Sequence, residues 1–260
     1  MNENTPYEIS LKFTEEYSEP AFLSENAFNA YQFLTAELDK ANGAPLPIMY
    51  EIQENRTMAQ GSIGEKHGYK AVQITLGRTP EKVFPEYEVA VIHELGHALL
   101  QSEGVSCLKN TQAEDAERCA AITDMADHPA IFTLSNKYRL PWDTHFDLGR
   151  IQNDFADPRR VKRSEAFEKH PFNIAKRYSD LYFINPKIYA YILQTLPELV
   201  NGNKVLELLA ALNKHRDELG KKIYTVEGVK EIKARLLDGW KFPYEQTMNF
   251  PKQSPAESSS

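Results

Sequence analysis

Between Val89 and Leu100 nearly every residue is apolar, yet the middle of the run reads His93-Glu94-Leu95-Gly96-His97. The stretch has the marks of a helix from about Pro85 to Ser102. Pro85 suits a first-turn position, Glu86 and Glu88 suit the positive N-terminal end, and Gly104 supplies the stop. A helix apolar almost all round is buried on most sides. Two histidines and a glutamate in its centre must then find compensation, because a polar group taken out of water without a partner is costly. The fold must therefore wrap around this helix and also supply something for its ionisable residues to do.

The spacing suggests what that is. Residues i and i+4 lie on one face of a helix, so the His93 and His97 rings can reach one point in front of it. Zinc takes neutral imidazole nitrogen at about 2.0–2.1 Å, a geometry that two rings one turn apart satisfy. Glu94 sits beside them, placed to act as general base on a metal-activated water without being a ligand itself. Chance alone produces His-Glu-x-x-His in roughly two chains per hundred of this composition, and the helical, apolar context lowers that further. The plainer alternative is two histidines satisfied by hydrogen bonds inside a helical core.

A catalytic zinc site has three protein ligands and an open position. Glu117, on the next expected helix, is the chosen third ligand; Glu114, Asp124, Asp127 and His128 are the alternatives. Asp124 is the acid expected to hold a ligating histidine by its other ring nitrogen. His128, His145, Tyr178 and Tyr182 are weaker candidates for an oxyanion donor, and tyrosines at helical spacing are more often core. Cys107 and Cys119 make a poor zinc pair and fit buried thiols better; His67, His170 and His215 have no partner pattern.

The elements around the motif follow from periodicity and punctuation. A helix is expected from Ser24, a good N-cap, to about Ala41, with Gly43 as its stop. Pro47–Ile52 and the alternating Ala71–Gly77 are strand candidates for one small sheet, joined by a polar, glycine-bearing connector. A helix from Gln112 to Asp127 is expected to end at His128-Pro129, since the residue before proline is pushed out of the α region. Further on, 174–183, 187–200, 204–219 and 226–237 are helical candidates, punctuated by Pro186, Pro197, Gly202 and Gly220. The polar tail at 249–260 is expected to be disordered.

Composition limits the function classes. With 42% hydrophobic and 26% charged residues the chain has the make-up of an ordinary globular protein. Its formal net charge of -7 argues against nucleic acid as a partner, and the basic run Arg159–Arg163 fits a solvated surface. The start carries no secretory pattern, and no apolar run approaches the roughly 20 residues of a membrane span. Two cysteines do not make a disulfide framework, and the sequon Asn55-Arg56-Thr57 is taken as chance. The expected compartment is the cytoplasm, with no membrane partner.

On the order helix, strand pair, His-Glu-Leu-Gly-His helix and acidic helix, the segment from Ser24 to Pro129 resembles the zincin metallopeptidases, within them the small gluzincin-like group. The motif and the later Glu114-Asp115-Ala116-Glu117-Arg118-Cys119 also resemble the ImmA/IrrE-type bacterial and phage metallopeptidases, which implies regulated cleavage of a repressor. The metzincin continuation is missing, with Leu at 100 and Glu at 103. The resemblance implies that Ala71–Gly77 is a substrate-binding strand, to whose edge an extended peptide adds. The expected fold is α+β: a zincin-like core over 1–135, in which a small sheet packs on helices, a mainly helical region over 136–248, and the tail. The expected function is zinc-dependent hydrolysis of a peptide or protein substrate, with His93, His97 and Glu117 on Zn²⁺ and Glu94 as base. The alternative is a zincin-derived regulatory or interaction module that binds metal with little turnover.

Overall fold

The computed structural model describes residues 7–14, 17–54, 60–66, 69–78, 87–109, 113–141, 169–199, 201–240 and 245–247. The sequon, His67, Pro85, Glu86, His145, the basic run at 159–163 and the tail lie outside the described residues. The fold is α+β, with seven α-helices among those residues and a small three-stranded mixed sheet. The chain divides into two compact units at Cys107/Leu108, the second extending to Glu245. No described helix is long and apolar enough to cross a membrane.

The first unit opens with an antiparallel hairpin, β1 (Tyr7–Thr14) and β2 (Tyr17–Leu23). Helix α1 (Glu25–Asn42) follows. Ser24 caps it by accepting the Ala27 N–H at 3.3 Å, and Gly43 ends it in the left-handed region at φ 77°, where only glycine sits without strain. Ala27, Ala30, Leu34 and Leu38 form its buried stripe. The sheet holds β3 (Ile48–Glu54), β4 (Gln60–Lys66) and β5 (Tyr69–Arg78) in the order β3-β5-β4. The two strand candidates do pair, parallel, from Ile48↔Val72 to Glu54↔Arg78. The connector between them is itself largely strand β4, antiparallel to β5. Val72, Ile74 and Leu76 of β5 are buried at period 2, as a strand with a covered face requires.

Helix α2 (Tyr87–Ser102) is the centre of this unit, packed on α1, β4 and β5. Every residue from Val89 to Gln101 is buried, as its apolar circumference requires. Its first turn is tied to the start of α1: Glu88 accepts the Ser24 N–H at 2.6 Å and the Ser24 hydroxyl at 2.8 Å. The helix stops at Gly104, φ 87°. The sheet does not offer Ala71–Gly77 as the edge that the resemblance implies. Strand β5, which contains Ala71–Gly77, is the central strand and is paired on both sides, so no peptide can add to its edge. The terminal strand that lies against α2 is β4.

Short strands β6 (Cys107–Lys109) and β7 (Glu245–Thr247) flank the second unit, which is helical. Helix α3 (Ala113–Lys137) does not end at His128-Pro129 but runs on through the proline for another two turns. Then come α4 (Pro171–Ile184), α5 (Pro186–Thr195), α6 (Gly202–Leu219) and α7 (Val226–Trp240). Asn185 caps α5 by accepting the Ile188 N–H at 3.1 Å. Helices α3, α4, α6 and α7 pack in a closed cycle, each on the next. Ala175, Tyr178, Leu181, Tyr189, Ile192, Leu196, Val205 and Leu209 make the main apolar cluster of this unit.

Candidate metal centre

The two histidines of α2 face the same point. His93 Nε2 and His97 Nε2 lie 3.2 Å apart, with ring centroids at 4.9 Å and the planes 69° apart. Two nitrogens on one tetrahedral zinc would be separated by about 3.3 Å, given bond lengths near 2.05 Å. Both rings, and Glu94 between them, are only 6% exposed. Gln101 continues the face by a further turn, and its Oε1 accepts the Ile63 N–H of β4 at 3.0 Å. Gly61 of β4 lies so close to α2 that a Cβ there would sit 2.6 Å from the Glu94 carbonyl oxygen and 2.7 Å from Glu94 Cβ. The helix thus grips β4 at two places, one of them the backbone of Glu94.

In the second unit, Pro171 opens α4, which carries Asp180 to His128: Asp180 Oδ1 and His128 Nδ1 are 2.6 Å apart, both groups buried. A carboxylate on Nδ1 fixes the ring's tautomer and orientation, and makes Nε2 the nitrogen that a metal would take. His93, His97 and His128 each offer a ligand nitrogen. This buried group could hold a metal ion. The donor set suits one, because neutral imidazole is the ligand that zinc, copper, iron and nickel share.

The remaining candidates fall elsewhere. The backbone of Glu114 and Glu117 belongs to α3, but their side chains lie outside the described residues, as does that of Cys107. Asp124 pairs with Lys176 at 2.5 Å, so the carboxylate on the cluster is Asp180 instead. Asp127 is buried with Lys233 of α7 at 3.1 Å. Tyr178 is core, and Tyr182 stacks edge-on against Phe183 and Tyr189. Cys119 is a buried thiol. His170 precedes α4, and His215 lies 3.9 Å from Glu218.

Arg216 of α6 is among the most buried side chains of the unit. Its guanidinium donates to the carbonyls of Met125 and Ser179, each at 3.4 Å, and stacks over Phe183 and Tyr182 at 4.8 and 5.4 Å. No described carboxylate pairs with it, and burial pulls its pKa down to about 10 against the opposing pull of Tyr189 and Asp180. Sequence reading missed Asp180, Arg216, Lys233 and Gln101. One signal was available: Arg216 and Lys233 stand within the buried stripes Val205-Leu209-Leu212-Leu219 and Val229-Ile232-Leu236, where an apolar residue is the norm. Compared with family models, with curated proteins and with solved structures, the chain matches none.

Proposed function

We propose that the protein is a zinc-dependent metallopeptidase of the zincin type, in which His93, His97 and His128 hold the metal and Glu94 is the general base. The observation that carries this reading is the buried three-histidine group, two members of which flank Glu94 on one helix. A bound zinc ion supplies Lewis acidity, lowering the pKa of a water and polarising a carbonyl. The chain's own residues do the rest. Glu94 takes the proton that water loses on attack and passes it to the departing amine. Asp180 holds the His128 ring, and the packing of α2 against β4 holds the Glu94 backbone.

The substrate class is a peptide or protein. An extended segment would add to the outer edge of β4, since β5 has none. Ile63 bonds Gln101 instead of β5, so its N–H faces that edge, and by the alternation of an antiparallel pair the Gly61 N–H does too. Gln101 occupies the first of these groups, which leaves pairing to begin at Gly61. Glu117 remains the competing third ligand. The test is hydrolysis of a mixed-sequence peptide pool, followed by mass spectrometry, with zinc content measured in parallel. Glu94→Gln should keep zinc and lose cleavage, and His128→Ala should lose both. Full zinc in His128→Ala with loss in Glu117→Ala would move the third ligand to Glu117. Full cleavage by Glu94→Gln would refute the base.

A further inference from the structure

We propose that Arg216 is a positioning residue for His128, acting through the backbone carbonyl that Pro129 leaves without a helical donor. The proposal rests on the reading of His128 as a metal ligand. Within α3 the carbonyl of Met125 would ordinarily accept from the N–H of residue 129, but residue 129 is proline and has none. The proline ring also crowds that carbonyl and turns it off the helix axis. An interior carbonyl without a donor is costly, so another group must serve it. Arg216 does: Nη2 reaches the Met125 oxygen at 3.4 Å, from a helix 91 residues further along the chain. Its Nη1 reaches the Ser179 carbonyl, also at 3.4 Å.

One carbonyl belongs to the residue before Asp180, and the other lies in the turn of α3 that leads to His128 and Pro129. Ser179 adjoins Asp180, which holds the His128 ring, and His128 adjoins Pro129. One planar guanidinium therefore ties the proline turn of α3 to the turn of α4 that bears Asp180. Phe183 and Tyr182 restrict it to that plane. Arg216 Nε has no hydrogen-bond partner among the described residues, and no described carboxylate forms an ion pair with the guanidinium, which Asp180 favours only from beyond ion-pair distance. A buried cation without an ion-pair partner is weak evidence of a role in stability. Its geometry serves two carbonyls, that of Ser179, next to Asp180, and that of Met125, in the turn that leads to His128.

The test uses the full-length chain, zinc affinity by chelator competition, and the visible spectrum of the cobalt(II)-loaded protein, which reports ligand geometry. Melting curves establish that each variant is folded. In Arg216→Met, which keeps the bulk and removes the donors, zinc should bind about 10–100-fold more weakly with an altered cobalt spectrum, the range for losing a group that orients a ligand. In Pro129→Ala/Arg216→Met, alanine restores the N–H for the Met125 carbonyl, and zinc affinity should recover several-fold over Arg216→Met alone. Folded Arg216→Met with wild-type affinity and spectrum overturns the proposal. If Arg216→Met does not fold, the double variant decides: folded and zinc-binding supports it, still unfolded overturns it. His128→Ala separates the two levels of the argument. If that variant binds zinc as the wild type does, the ligand assignment fails and takes the proposal with it. If it loses zinc while Arg216→Met keeps it, only the role of Arg216 fails.

Discussion

Replacing Gly61 with alanine puts a methyl carbon 2.6 Å from the Glu94 carbonyl oxygen, 2.7 Å from Glu94 Cβ and 3.0 Å from the Glu94 carbonyl carbon. Ordinary van der Waals contact begins near 3.4 Å, so strand and helix must separate by about 0.8 Å at this point. The opposing atoms are backbone and Cβ, which have no rotamer to yield. Overpacking of this kind costs about 1–3 kcal/mol. The same displacement moves the backbone of the proposed base, and a misplacement near 1 Å lowers turnover by about 100-fold. Gly64→Ala is the internal control on the same strand, because its Cβ would meet only the end of the flexible Gln73 side chain, at 2.8 Å. Urea melts and peptide-pool hydrolysis should therefore show Gly61→Ala destabilised and nearly inactive with its zinc retained, and Gly64→Ala close to wild type. Equal stability and equal turnover in the two variants would refute the claim that β4 sets the position of Glu94.

Other consequences follow from single contacts. Lys233→Met leaves Asp127 buried without its cation and should cost about 3–5 kcal/mol in chemical denaturation; Asp127→Asn added to it should recover part of the loss. Ser24→Ala removes both the cap of α1 and the hydroxyl bond to Glu88, and should lower stability by about 1–2 kcal/mol while Ser24→Thr is nearly neutral. Burial, and secondarily Tyr31, hold the Tyr50 pKa well above 10. The unfolded chain then loses this proton first as pH rises, so stability is full below about pH 10 and declines above it, a decline that Tyr50→Phe should lessen in melts at stepped pH.

Most of the first unit was legible because local signals agreed with the packing. Ser24, Gly43 and Gly104 mark helix ends through backbone chemistry that needs no tertiary partner. The apolar circumference of α2 announced its burial. The alternation of Ala71–Gly77 revealed β5 but not its place in the sheet, since strand order depends on partners. Strand β4 has Ile63 as its main apolar residue, and its two glycines read as connector; pairing with β5 and the close approach to α2 make it a strand. Strand β1 of the first hairpin carries a period-2 alternation in Tyr7, Ile9, Leu11 and Phe13, a signal that marks it as a strand without naming its partner. At the site, His93, Glu94 and His97 are local and were read directly. Asp180 meets His128 across 52 residues, a distance that periodicity cannot bridge. Helix α3 continues past Pro129 where the sequence predicts its end, and the contact of Arg216 with the Met125 carbonyl comes from another helix, out of reach of a local signal.

In the proposed site His93, His97 and His128 hold one zinc ion. The direct measurement is elemental analysis of the purified full-length chain, stripped and reloaded with zinc at neutral pH, beside His128→Ala. About one zinc per chain in the wild type, lost in the variant, is the result predicted by the three-histidine site. A wild type that holds no zinc after reloading would contradict it.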